Sequence, residues 1–369
     1  MEKSLNSDLE TSGVQPLFDF HRQHPDVSLE SHVRRKRIEL GLEVSSLQRI
    51  YLDIRFWIML RDVVLGRCQD EAVIALLNFL RETVSTGRAI CPISESVLME
   101  LLKQRDSITR NATAQLIDDL SLGVALVPID ERISQELCHC VYGQHGVENL
   151  IPLEYLVWTK LAYVLGQVHP HETGLAPEDE LAIQKAVCDD LWTTSLVEML
   201  SHAGEPNLYF DWNSLADRLN AGSAEHFDQI KSYSQAFRAE FEGSFRLFKD
   251  QLLAISEEVT ERSGMAFAPV NANEPAAKRF EKFSQAIPTL HIGSSCHAAV
   301  RWDQKRNLTG NDLFDFHHAE AALAYCDVFL TEKPLASLLT QRHLGLAIYT
   351  CQIFSAPRAA LDWLRNCDR

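Results

Sequence analysis

Strands alternating with helices occupy the two ends of this chain, and from Leu153 to about Leu290 the alternation stops. A run of strand–helix units calls for a parallel sheet, because each crossover helix returns the chain to the same sheet edge. The first run reads as strand 50–54, helices 56–65 and 71–85, strand 89–93, helices 95–105 and 107–120, strand 123–130 and helix 131–142. The second reads as a helix starting at Asn311, a strand over 327–331, a helix over 334–342, a strand over 344–350 and a helix over 357–366. The expected fold is therefore one α/β parallel sheet flanked by helices, completed by both ends of the chain around a long all-helical insertion. The implied division is a flexible segment 1–48, a first sheet part 49–145, the insertion 146–300 and a second sheet part 301–369.

The insertion is expected to add no strand. Its helices fall at 153–165, 179–202, 211–220, 224–262 and 276–286, separated by prolines such as Pro170, Pro206 and Pro275. The long piece 224–262 carries Phe227, Tyr233, Phe237, Phe241, Phe245, Phe248 and Leu252 at three- and four-residue spacing. That spacing is read as a packing stripe rather than as a base-stacking surface.

Chemistry enters where three strand–helix junctions each offer a carboxylate. The strand around Ile50 ends at Asp53, the helix after the 89–93 strand carries Glu100, and the helix opening at Asn311 and Asp312 carries Asp315 one turn further in. Ligands of open parallel sheets bind at the carboxyl ends of the strands. Taken alone, Asp312 and Asp315 also suit helix capping.

These segments, YLDxxFW at Asp53, ISxxVLxELL ending in Glu100, DxxHAxxA from Asp315 and the DxxxT strand from Asp327 to Thr331, resemble the PIN domain, a metal-dependent nuclease fold of toxin–antitoxin ribonucleases and RNA-processing endonucleases. The resemblance spans roughly 48–140 and 305–366. It implies an endoribonuclease acting on single-stranded RNA, or on DNA as some relatives do, with Mg²⁺ or Mn²⁺ held by Asp53, Glu100 and Asp315. Asp327 and Asp312 are then further ligands, and Arg55 and Arg61 phosphate contacts. The pattern departs from the family at Ile54 and Arg55, where a small polar residue and often Asn follow the first Asp. It departs again at Thr331-Glu332-Lys333, where the family places an acid at the position of Lys333. The rival reading is a catalytically eroded PIN-fold scaffold.

Charge bears on the partner. The 369 residues carry a formal net charge of −16, which excludes an avid non-specific binder of long nucleic acid. Basic residues gather locally at 34–37, which could open a short helix but are read first as a solvated turn, and at Arg301, Lys305 and Arg306. No membrane span or secretory signal is expected, nine scattered cysteines read as reduced thiols, and cytoplasm is the expected location. The insertion is a surface for a protein partner or a second copy. One of His317 and His318 could hydrogen-bond a phosphate or a neighbouring acid, though structural roles are favoured. Cys138-His139-Cys140 with His145 is too tight and isolated for a zinc site, and His169 and His171 read as solvated.

Overall fold

The computed structural model describes residues 14–202, 211–263, 275–303 and 306–367. Thirteen residues of the expected flexible segment, together with Pro206 and Lys305, lie outside the described residues. The rest of that segment is not a loop. It forms α1 (Val14–Arg22) and α2 (Leu29–Ser45), the latter capped by Ser28 accepting from the Ser31 amide. The basic run 34–37 lies inside α2, where Arg37 is buried and paired with Glu131 at 2.5 Å, so the solvated turn is corrected. Gly41 lets α2 lie against the chain at Tyr155, since a Cβ there would stand 2.4 Å from the Tyr155 Cα.

Next come β1 (Gln48–Leu52), α3 (Ile54–Val64), α4 (Glu71–Ser85), β2 (Ala89–Ile90), α5 (Glu95–Leu102), α6 (Ser107–Ser121), β3 (Val124–Leu126) and α7 (Ile129–Gln144). The insertion then contributes β4 (Trp158–Lys160), α8 (Pro177–Leu191), α9 (Leu196–His202), α10 (Trp212–Glu225), α11 (Tyr233–Phe245), α12 (Lys249–Ser263), α13 (Ala276–Gln285) and α14 (Pro288–Trp302). The chain closes with α15 (Gly310–Tyr325), β5 (Val328–Leu330), α16 (Lys333–Leu339), β6 (Gln352–Phe354) and α17 (Pro357–Cys367).

The result is mixed α/β, with a four-stranded all-parallel sheet in the order β2-β1-β5-β6. Sequence-distant β1 and β5 are neighbours, so both ends of the chain build one sheet. Ile50, Tyr51, Leu52, Val328, Phe329 and Leu330 are fully buried, as expected of strands covered on both faces. Ala319, Ala321 and Ala322 are also fully buried on α15, whose small side chains permit close packing. No helix among the described residues is long and apolar enough to cross a membrane.

Three expectations are corrected. The insertion is not wholly helical, because β4 pairs antiparallel with β3, and β3 in turn bridges to Ile93 in parallel. Trp158 and Thr159 are fully buried there, so tertiary burial has overridden the helical reading of 153–165. The long helix 224–262 is broken twice, by a 3₁₀ turn at Phe227–Gln229 that follows the end of α10 and by another at Arg246–Phe248 between α11 and α12. Its stripe does pack: Phe237, Phe241, Phe245 and Phe248 join Ile133, Leu137 and Phe283 in a core separate from the sheet. Finally, 344–350 forms 3₁₀ turns, and the last strand comes later, at β6.

Candidate active site

β1 lies between β2 and β5, and β5 pairs with β6 on its far side, so the crossovers leaving β1 and leaving β5 diverge from the same carboxyl edge. Such a switch point opens a crevice at the carboxyl edge of a parallel sheet. Asp53 follows β1 directly and is the N-cap of α3, with its side chain accepting from the Phe56 amide at 3.0 Å. Its Oδ2 accepts from the Glu332 amide at 3.0 Å, which ties the end of β1 to the end of β5. Burial raises the Asp53 carboxyl above its ordinary pKa, and His318 opposes the shift.

His318 stands at the centre. It is 1% exposed, with Nε2 2.8 Å from Glu100 Oε2 and Nδ1 2.8 Å from the Tyr51 hydroxyl, which is itself 2.6 Å from Ser94 Oγ. Burial works against a charged imidazole, but Glu100, Asp53 and Asp315 outweigh it and raise the His318 pKa. Asp315, one turn before His318 on α15, is half-buried. Burial pushes its carboxyl up to about 7, His318 resists, and Asp53, Glu332 and Glu100 add to the rise. Among the described residues nothing donates a hydrogen bond to Asp315. Four acids therefore meet around one histidine: Asp53, Glu100, Asp315 and, from the N-cap of α16, the exposed Glu332.

The remaining sequence-derived candidates lie elsewhere. Asp327 precedes β5 and is paired with Arg49, its Oδ1 2.8 Å from Nη2 and its Oδ2 3.0 Å from Nε, at the amino end of the sheet. Asp53 lies four positions beyond Arg49, about 13 Å along the strand, so Asp327 stands apart from the cluster. Asp312 forms a capping box with Thr309 and an ion pair with Arg306. The capping reading thus holds for Asp312, while Asp315 faces the other acids. Arg61 is 8% exposed and bound to Asp62 at 2.8 Å, so it is an internal residue and not a phosphate contact. Arg55 is exposed on α3, and Lys333 is exposed at the first turn of α16. Lys103 is the cation the sequence reading passed over. It lies beside Glu100, which raises its pKa against the larger lowering by burial, and its Nζ sits 3.5 Å from the Phe314 ring centroid. Trp212 from the insertion packs on Phe314, the ring centroids 4.6 Å apart and the planes tilted by 52°.

The four acids fit a hard divalent cation in kind, since all offer oxygen and Asp315 has donors from no neighbour to satisfy it. They are not drawn tight: no three of their ligand atoms, with or without His318, come within 4.8 Å of one another. Mg²⁺ tolerates that spread, because it binds through one or two carboxylates and keeps several waters.

A tighter group lies far along the chain. His21, His32 and Asp189 place their ligand atoms within 4.8 Å of one another. The hydrogen bonding there argues against a metal. Arg35 Nη2 lies 3.2 Å from His32 Nδ1, and a guanidinium only donates, so the His32 proton sits on Nε2 and points at Asp189, 2.8 Å away. Lys36 Nζ is also 2.8 Å from Asp189, supplying the charge that a cation would otherwise bring. The group anchors α1 and α2 to α8.

No family model, curated protein or solved structure matches this chain.

Proposed function

We propose that this chain is a PIN-like, metal-dependent nuclease that hydrolyses phosphodiester bonds in single-stranded RNA. The observation that carries the reading is the meeting of Asp53, Glu100, Asp315 and Glu332 at the switch point, with Asp315 pushed up to about 7 among its neighbours. Acids crowded without cations are costly unless their function needs the crowding. Asp53, Glu100 and Asp315 would hold Mg²⁺ or Mn²⁺, with Glu332 in the place that the family gives to the acid two residues after Thr. A bound divalent ion supplies an acidified water and offsets the charge that develops on the phosphate.

The chain's own residues set the rest. The Phe56 and Glu332 amides fix both oxygens of Asp53 and leave each a lone pair. His318 orients Glu100, and Tyr51 with Ser94 holds His318 in turn. Lys103, exposed and seated over the buried Phe314 ring, supplies a cation for one phosphate. The test is cleavage of labelled single-stranded RNA with Mg²⁺, Mn²⁺ or EDTA. Metal-dependent cleavage that Asp315→Asn removes supports the reading, and no cleavage by the metal-saturated protein across varied RNAs overturns it.

A second reading, a PIN-fold scaffold without catalysis, is favoured by His318, which already gives the acids a positive neighbour, and by Lys333 at the family's fourth acidic position. Thermal shift with divalent ions separates the two, because the scaffold gains nothing from metal.

A further inference from the structure

Away from the sheet, α10, α11, α14 and residues 306–308 enclose a cavity of about 380 Å³, within the size range of sites for small organic ligands. Its lining is unusual for a chain of net charge −16, since three arginines, Arg218, Arg301 and Arg306, share it with one acid, Glu240. Their donors are mostly unspent. Arg301 Nη1 donates to Glu240 at 2.6 Å, but its Nε is buried with no acceptor. Arg306 places Nη2 on Asp312, which engages only part of a five-donor guanidinium. Arg218 is exposed on α10 and has no ion-pair partner among the described residues.

The rim is held rigid. Asn220 donates to the Leu308 carbonyl at 2.9 Å and accepts from the Leu308 amide at 2.9 Å, pinning residues 306–308 to α10. Leu219, Val300 and Leu308 give the remaining wall an apolar side. Guanidiniums with unspent donors beside an apolar wall match a ligand with a phosphate at one end and a flat, weakly polar body at the other.

We propose that this cavity binds a phosphorylated ligand of nucleotide size, with its phosphate on Arg218, Arg301 and Arg306. That phosphate could belong to a free nucleotide or to the phosphorylated end of an RNA strand. The proposal stands apart from the nuclease reading, because it uses none of the sheet-edge acids and needs no metal.

The test is calorimetric titration of the full chain in EDTA with adenosine 5′-monophosphate, with adenosine, and with a short RNA bearing either a 5′-phosphate or a 5′-hydroxyl. Binding of the monophosphate but not of adenosine is expected. Arg218→Gln should weaken it about tenfold, as loss of a charge-assisted hydrogen bond would. Arg301→Gln should do the same, and the exposed Arg218 variant keeps the test valid should Arg301→Gln fail to fold. A preference for the 5′-phosphorylated RNA over the monophosphate assigns the strand end as the source, and the reverse preference assigns the free nucleotide. No binding of either phosphorylated probe at about 10 mM, where only affinities too weak to matter would be missed, overturns the proposal. Equal binding of adenosine and its monophosphate, or binding that Arg218→Gln leaves unchanged, overturns it too.

Discussion

Two acid–histidine groups sit in this molecule, and they have been solved in opposite ways. At Asp189 one carboxylate receives His21 at 2.7 Å and His32 and Lys36 at 2.8 Å, and these partners outweigh burial to hold its carboxyl well below the usual range. At the sheet edge four acids share one histidine, and Asp315 is pushed up to about 7. Both groups hold buried polar atoms, but one already has its cations and the other is short of them. A saturated carboxylate is an anchor, and a crowded one is a place for a ligand.

The contrast can be broken most forcefully at the anchor. Asp189→Ala leaves two histidines and Lys36 around an empty place, and breaking a partly buried ionic group costs roughly 3 kcal/mol. The urea midpoint should fall and the segment carrying α1 should become sensitive to protease, while RNA cleavage by the folded fraction stays unchanged. Loss of cleavage without loss of stability would move the active site to Asp189.

Slightly smaller is the response to metal. Mg²⁺ or Mn²⁺ at a hundredfold excess over its dissociation constant should stabilise the protein by about 2.7 kcal/mol. The rise in melting temperature should disappear in Asp315→Asn and persist in Asp189→Asn. The reverse pattern would make the histidine group the metal site.

On activity, Asp315→Asn should cut metal-dependent RNA cleavage at least about tenfold, equivalent to ~1.4 kcal/mol of transition-state stabilisation. Its fold should survive, because Asp315 makes no hydrogen bond to any described residue. Equal rates for wild type and variant would remove Asp315 from the site.

The subtlest difference is in the sign of pH dependence. Asp315 has a raised carboxyl in the folded state, so its contribution to metal-free stability is fully present below its ordinary value of 3.8 and is lost as pH rises to about 7. Asp189 is depressed, so its contribution is present above 3.8 and is lost as the pH falls below that value. Denaturant midpoints in EDTA should show Asp315→Asn flattening the slope between pH 4 and 7, and Asp189→Asn flattening only the acid limb. A shared slope change in both variants would deny that the groups are independent.

Much of the site was legible in local pattern. Asp53 at the end of an apolar run, Glu100 on the helix after the next run, and Asp315 on an alanine-rich helix were all readable from periodicity, because strand ends and helix faces follow from neighbours in the chain. Hydrophobic alternation also told that both ends of the chain share one sheet. It did not tell that 14–45 is helical or that Trp158–Lys160 is a strand, since those segments take their form from surfaces they pack against.

Tertiary structure alone chose among acids a few residues apart. Asp327 and Glu332 flank the same strand, yet parallel register with β1 places the first beside Arg49 and the second beside Asp53. Asp312 and Asp315 share one helical turn, but Arg306 and Thr309 claim the first and leave the second to its fellow carboxylates. Lys103 and Trp212 carried no signal, and His318, though part of the DxxHAxxA run, did not show which acid it would meet, because each gains its place only when distant elements close around it. Sequence determines which side chains an element can present, through spacing along one backbone. Which of them meet depends on register and packing between elements, and those are properties of the whole chain.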